Sequence, residues 1–320
     1  MMDQVEAQSL VSSAVTYTGR GGYDVIKIAD RTVRAPKAGE VRISVHAAAV
    51  NPTDILLRDP APGVEAWPVV PGVDAAGTIE SVGPSVPRLH VGQKVMAVTI
   101  PRRLDGGAQA QHIVVPAASV APIPANATLS EAATLPMNGL TALLALELAD
   151  LKAGQTLAIS GGAGLLAHYT IALARRRGLK VIADAKPAEV ELVRSYGADE
   201  VVERGDDFAA AIRRVAPDGT DALLDTAVLG EKAFGALRDN GVYLPVRMWG
   251  DKPGERDLTI KQVLVYHAFE RTEWLELLRE VVEAGDIRLR VTREYSIHEV
   301  ADAQRALEAG GLRGRPVIIL

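Results

Sequence analysis

Residues 156–177 read TLAISGGAGLLAHYTIALARRR. The first five form a short apolar run suited to a strand, and from Leu165 the spacing turns helical. Three glycines, Gly161, Gly162 and Gly164, stand at the handover. Read from Gly162, the turn is G-A-G-L-L-A, which fits G-x-G-x-x-G/A with Gly162, Gly164 and Ala167. In such a loop one glycine allows the tight turn, and the next lets the backbone come up against a pyrophosphate. The small third residue lets helix and strand pack closely. The helix start adds N–H groups without partners and the positive end of its dipole. Gly162, Ala163, Gly164, Leu165, Leu166 and Ala167 are therefore expected to hold a dinucleotide, with a ligand-free turn as the plainer alternative. Leu165 either crowds the phosphates or covers them, and the sequence fits both.

The pattern around this stretch supports the reading. KVIADA precedes a helix over 187–196, EVV one over 206–215, and DALLDTA one over 230–238. GVYLPV and TIKQVLVY close the series. Such alternation predicts βαβ units and a doubly wound parallel sheet. Upstream, Ser130 is a candidate helix cap, and GLTALLALEL reads as a buried helix. From about residue 14 to 125 the runs VRISVHAAAV, AAGTIESVG, QKVMAVTI and AQHIVVP are cut by Gly and Pro, which predicts a β-rich domain. The tail returns to mixed elements and ends in RPVIIL.

The 320 residues suit two domains, and 48% apolar content is ample for their cores. A net charge of −5 offers no basic surface for nucleic acid or anionic lipid. No apolar run reaches the length of a membrane span. The start, MMDQVEAQSLVSSA, lacks a basic n-region and reads as a loose extension rather than a signal peptide. A cytoplasmic protein is expected.

Several further stretches share an order and spacing: AAAVNPTD, PVVPGVDAAGTIESVGPSVPRLHVGQKVMAV, GGAQAQHIVVPAASVAPIP, EAATLPMNGLTALLAL, GADEVV, LLDTA and RGRPVIIL. With the glycine loop, they resemble the medium-chain dehydrogenase/reductase superfamily, in its zinc-free quinone oxidoreductase branch. The resemblance runs from about residue 14 to the C-terminus. It implies an α/β protein in which a GroES-like β-rich catalytic domain accompanies a Rossmann domain with a doubly wound parallel sheet. The expected boundaries are an extension over 1–13, the catalytic domain over 14–128, the Rossmann domain over 129–268, and a return to the catalytic domain over 269–320. It also implies a homodimer, and an active site in the cleft between the domains.

Zinc-dependent relatives carry an early Cys, a His-Glu pair after the Pro-Gly turn, and a four-cysteine lobe. Here the early position falls in VNPTD, the turn gives Val73 and Asp74, and the chain has no cysteine. No metal is expected. The six histidines, His46, His90, His112, His168, His267 and His298, show no i, i+4 pair and are expected on the surface or in the core.

The resemblance places Asn51, in VNPTD, and Thr141, in NGLTALL, against the nicotinamide as catalytic and cofactor-binding residues. The plainer roles are a turn residue before Pro52 and a helix threonine bonded to its own backbone. Asp54 lies at a nearby family position where a structural role is equally open. Relatives often place a tyrosine after the NPTD segment, whereas ILLRDPAPGVEAWP has none. Trp67, Tyr266, His267 and Phe269 are candidate pocket walls, with packing as the plainer role. Arg58 could equally be a solvated charge.

The cofactor is expected to be NADP(H). Matched to the family strand, KVIADA puts Ala185 at the position of the ribose-binding acid. Asp184 then sits one residue early and should point away. Lys186 and Arg204 are the expected partners of a 2′-phosphate. The function implied is hydride delivery to a quinone or to an α,β-unsaturated carbonyl. An enoyl-thioester or polyketide-tailoring reductase is an alternative, and a non-catalytic NADPH-binding sensor is another.

Overall fold

In Glu40–Ala49 the apolar residues alternate, and Val41, Ile43, Val45 and Ala47 are all buried. This strand organises one of two compact units in the computed structural model, which describes residues 8–60, 63–250 and 254–320. The first unit holds the chain up to Met137 with Phe269–Glu283 and Arg288–Leu320; the second holds Asn138–Ala268 and Ala284–Ile287.

In the first unit, Glu40–Ala49 pairs antiparallel with Asp74–Val82 on one edge. Its other edge is shared by His112–Pro116 and the late strand Arg315–Ile319. The sheet continues through Lys94–Val98 to Val120–Pro122, and beyond Arg315–Ile319 to Val291–Ser296. Val41, Ile43, Val45, Ile79, Val95 and Ile113 fill its core. Leu10–Tyr17 and Ile26–Val33 form a separate hairpin. Its first strand starts inside the stretch expected as an extension; residues 1–7 of that stretch lie outside the described residues.

The second unit is a six-stranded parallel sheet. Its order is Glu200–Glu203, Lys180–Ala185, Thr156–Ser160, Thr220–Asp225, Leu237–Pro245, Thr259–Ile260. Numbered along the chain this is 3-2-1-4-5-6, the doubly wound order. The order reverses between Thr156–Ser160 and Thr220–Asp225, and ligands of such sheets bind beyond the strand C-termini at that point.

Three expectations need correction. The helix foreseen over 230–238 is a 3-10 turn, Gly230–Ala236, because Gly230 at φ +66° starts it and Gly235 lowers its helix propensity further. TIKQVLVY yields only the two-residue strand Thr259–Ile260 before a second 3-10 turn, Val265–Ala268. Leu129–Ala149 does have the length and apolarity of a membrane span, but most of it is buried inside the protein, as a core helix is.

Candidate cofactor and active site

Each glycine of the loop answers a different constraint. Gly161 has φ +74°, and a Cβ there would meet Thr226 Oγ1 at 2.6 Å. The tight turn is therefore at Gly161, one residue before the expected Gly162, because Ser160 is the last residue paired in its strand. Gly162 is the close-packing glycine: its Cβ would meet the Asp184 carbonyl oxygen at 2.6 Å and Ala183 Cβ at 2.9 Å. Gly164 differs from both. Its φ is −68°, and a Cβ would touch only the Gly161 oxygen, at 3.2 Å. That contact is tight and the backbone angle suits any residue, so the protein's own demand for a bare backbone is weaker here than at Gly161 or Gly162.

Gly164 is also the N-cap of the helix Leu165–Arg176, which has no side-chain cap. The first-turn N–H groups thus have no side-chain acceptor, and a Cβ at Gly164 would meet only the Gly161 oxygen, an arrangement that suits an anion such as a pyrophosphate. Leu165 is only 2% exposed, and Ala163 and Ala167 are buried with it. Leu165 neither crowds nor covers an anion there, because it turns into the protein. Leu166 is the partly exposed residue of this turn.

Asp184, expected to point away from the ribose, is tied to the glycine loop. Asp184 Oδ1 accepts from the N–H of Gly161 at 2.5 Å and, more weakly, of Gly162 at 3.3 Å. Its Oδ2 accepts from Arg204 Nε at 2.6 Å. The register sets Ile159 opposite Ala183, so the loop leaves its strand beside Asp184. Lateral reach along the sheet, rather than the face of the strand, decides the contact. Arg204 is further fixed by its backbone N–H to Ala185 O, at 2.8 Å. Lys186 is exposed at the start of the turn Pro187–Glu189.

At the C-terminal ends of Thr156–Ser160, Thr220–Asp225 and Leu237–Pro245 lies a network that the motifs did not reveal. Asp225 is buried and accepts from Ser160 Oγ at 2.6 Å, Tyr243 OH at 2.6 Å and Gly230 N at 2.9 Å. Burial and the Asp225 carboxylate both push the Tyr243 hydroxyl up, so it stays a donor. A cavity of about 200 Å³ opens beside it, lined by Asp225, Val228, Tyr243, Pro245 and Trp249 among others. The signal in the sequence was an acid in LLDTA, at the end of an apolar run.

In the first unit, Asn51 is fully buried at the start of the helix Pro52–Arg58. Asn51 Nδ2 donates to Asp74 Oδ2 at 2.8 Å, and Arg315 Nε donates to Asn51 Oδ1 at 2.9 Å. Asp74 Oδ1 also accepts from the Met137 N–H at 2.6 Å. Asp54 accepts from the N–H of Asn51 at 2.8 Å and of Gly72 at 2.9 Å. Asn51 and Asp74, in the two segments where zinc-dependent relatives carry ligands, thus share a buried polar network with Arg315 and Asp54. Among the described residues, no group of three or more His, Asp or Glu could hold a metal.

Burial raises both carboxyls to about 7, against the pull of these N–H donors and of Arg315. In the unfolded chain they titrate near about 4. The folded chain therefore binds protons that the unfolded chain releases. The stability this contributes is complete below about pH 4 and is lost as pH rises through about 7. Urea unfolding is expected to show a free energy that falls from pH 5 to pH 8, and less steeply in Asp54→Asn. An equal slope in the two proteins would contradict this.

The other expected residues are scattered. Thr141 is buried in the helix Pro136–Ala149. Trp67 packs against a core of Val15, Tyr17, Val50 and Leu57, and Phe269 is buried. Tyr266 is 52% exposed and stacks on His267 with ring centroids 4.2 Å apart. Arg58 is not a solvated charge: it is buried, donates to Gln304 Oε1 at 2.8 Å, and lies over the Tyr23 ring.

A β-rich unit completed by a late strand, and a doubly wound sheet with a glycine turn and an uncapped helix start at its reversal point, define a dinucleotide-dependent oxidoreductase fold. The alcohol dehydrogenase GroES-like domain family matches residues 37–125, and the zinc-binding dehydrogenase family matches residues 196–318. The 2-methylene-furan-3-one reductase of Solanum lycopersicum is 30% identical over 321 residues, covering 95% of this chain and 78% of that protein. The NADPH-dependent alkenal/one oxidoreductase, chloroplastic, of Arabidopsis thaliana is 29% identical over 316 residues, with the same two coverages, 95% and 78%. The solved quinone oxidoreductase of Coxiella burnetii shares the fold with a TM-score of 0.83 at 24% identity, covering 97% of this chain and 100% of its own. The chain belongs to the medium-chain dehydrogenase/reductase superfamily, in its zinc-free quinone oxidoreductase-like branch, and is an oxidoreductase.

Proposed function

We propose that the chain is a zinc-independent, NADPH-dependent reductase of enones or quinones. The observation that carries the reading is Gly164, bare where the protein's own packing presses least on a Cβ, at an uncapped helix start. The names of the relatives support the substrate class. A 2-methylene-furan-3-one carries a C=C conjugated to a ketone, and the Arabidopsis relative is named for alkenals and alkenones. The latter name also supports NADPH, as do the cationic side chains of Lys186 and Arg204.

When bound, the reduced nicotinamide supplies the hydride that an electron-poor carbon takes up. In this reading residues 162–167 bind the pyrophosphate, and Lys186 and Arg204 bind the 2′-phosphate. Thr141 and Asn51 serve the nicotinamide end. Asp74 and Arg315 fix the amide plane of Asn51, so its orientation is set before any ligand arrives. The stacked pair Tyr266 and His267 is the proposed wall for substrate, and Trp67 and Phe269 take packing roles. The inward turn of Leu165 removes one ground for a sensor without turnover.

The test mixes the protein with NADPH and a panel of enones, quinones and a crotonyl thioester, following absorbance of the reduced nicotinamide. Oxidation that survives a chelator is expected. Binding without oxidation across the panel would favour the sensor, and one tightly held zinc per chain, with activity lost to the chelator, would overturn zinc independence. The reading extends to a cytoplasmic homodimer. Thr259–Ile260 ends its sheet with no further strand among the described residues, an edge that a second copy can extend. Light scattering at twice the 33.9 kDa chain mass is the expected result.

A further inference from the structure

We infer that a cavity of the β-rich unit, between the strand Ile26–Val33 and the loop over residues 100–106, binds a small organic carboxylate through Arg31. The site lies within that unit alone and does not depend on the cofactor reading.

The cavity holds about 420 Å³, a volume in the range of small-molecule sites. Ala29, Pro68, Val70 and Leu104 give it apolar walls, and Leu104 is 99% exposed. A leucine so bare gains by being covered, which suits a ligand with an apolar body.

Arg31 supplies the polar end. In the hairpin it pairs with Ser12, so its side chain shares the face of Ser12 and Ala14, both buried. The guanidinium lies over Gly106, where a Cβ would meet Arg31 Nη1 at 2.7 Å and Val70 Cβ at 2.9 Å. Among the described residues it makes no hydrogen bond or ion pair, and its Nε is buried. Burial disfavours its charge, and the Asp105 carboxylate opposes that only from beyond ion-pair distance. A charged donor left without an acceptor is costly, and a ligand's carboxylate would satisfy it.

The neighbouring charges are engaged elsewhere. Arg34 Nε and Nη2 donate to the two oxygens of Asp105, at 2.9 and 2.7 Å, and Nη2 also donates to Glu40 Oε1 at 2.9 Å. Asp30 accepts from Ser13 Oγ at 2.6 Å, and alternation sends its side chain to the opposite face of the strand from Arg31. Of the two arginines that line the cavity, Arg31 is therefore the open one. A carboxylate matches the planar fork of a guanidinium with two parallel bonds. A phosphate dianion would bring a second charge toward Asp105 with no second cation to offset it, so a single negative charge is the better fit.

The experiment titrates benzoate and its uncharged analogue benzamide into the full-length chain by calorimetry, with circular dichroism as the check on folding. Benzoate is expected to bind with a Kd of about 1 mM or tighter, and benzamide about tenfold more weakly or worse. Arg31→Gln should weaken benzoate by about tenfold or more, and Leu104→Ser by about threefold. Gly164→Val, altered at the uncapped helix start, should bind benzoate as the wild type does. The proposal is overturned if benzoate does not bind, if benzamide equals it, or if either Arg31→Gln or Leu104→Ser leaves the affinity unmoved. Loss of binding in Gly164→Val would overturn it too, by placing the benzoate at the glycine loop. Should Arg31→Gln not fold, phenylglyoxal labelling of the wild type decides. Benzoate should then shield Arg31, as located by mass spectrometry; an Arg31 that is unreactive, or that reacts equally with benzoate present, would end the assignment.

Discussion

In Gly164→Val, cofactor affinity is expected to fall by about a hundredfold or more while the fold persists. The new Cβ has one neighbour, the Gly161 oxygen at 3.2 Å, and the backbone at φ −68° and ψ 163° suits a β-branched residue. The protein can therefore accept the side chain. A phosphate against the helix start cannot, because the side chain stands where the ligand's oxygens must approach the N–H groups. Gly162→Ala is the contrasting control. Its Cβ would fall 2.6 Å from the Asp184 carbonyl oxygen, which is backbone and cannot swing aside. That variant should lose about 1–3 kcal/mol of stability through overpacking. Calorimetric titration with NADPH, read beside thermal melts, separates the two results. Unchanged affinity in a folded Gly164→Val protein would reduce the loop to a turn.

Asp225→Ala is expected to cost about 3–5 kcal/mol of folding stability, among the largest losses from a single substitution. Three donors converge on that carboxylate: Ser160 Oγ, Tyr243 OH and the Gly230 N–H. Tyr243 and Ser160 are buried, so the lost acceptor leaves their hydroxyls to water from the adjoining cavity alone. Ser160 in turn accepts from the Ala227 N–H at 3.0 Å, which carries the damage into the loop after Thr220–Asp225. Tyr243→Phe removes one bond and leaves the aromatic packing with Phe234 and Trp249, so about 1 kcal/mol is expected there. Urea unfolding of the two variants measures the series. Equal losses would mean that packing, not the carboxylate, holds the strand ends together.

How much of this was legible in the sequence depends on which kind of signal carried each residue. The glycine loop announced itself because a change from strand to helix spacing is periodic, and periodicity survives in one dimension. The choice between Gly161 and Gly162 for the turn did not, since it depends on where strand pairing stops. The direction of Leu165 was equally closed to inspection, because the first residue of a helix points where the incoming backbone aims it. The contacts of Asp184 were hidden for a related reason: alternation gives the face of a strand, whereas they run sideways to a neighbouring loop. Arg58 looks solvated in ILLRDP, but its partners Gln304 and Tyr23 lie far away in the chain. Resemblance supplied Asn51 as a residue of interest; its partners Asp74 and Arg315 come from two other segments that only folding brings to it.

The strand Arg315–Ile319 lies against Glu40–Ala49 and delivers Arg315 to Asn51, a residue 264 positions earlier. Ribosomal synthesis is vectorial, and domains tend to fold as they emerge. The parallel sheet has all six of its strands once Ile260 is out. The β-rich unit, although begun first, waits for its last strand with one edge of Glu40–Ala49 only partly paired. Until then Asn51 lacks Arg315 as a donor, and the buried acids Asp54 and Asp74 lack a nearby cation. The nascent chain thus completes its nucleotide-binding half early and its polar network last, and the exposed edge in between is the surface a chaperone would meet.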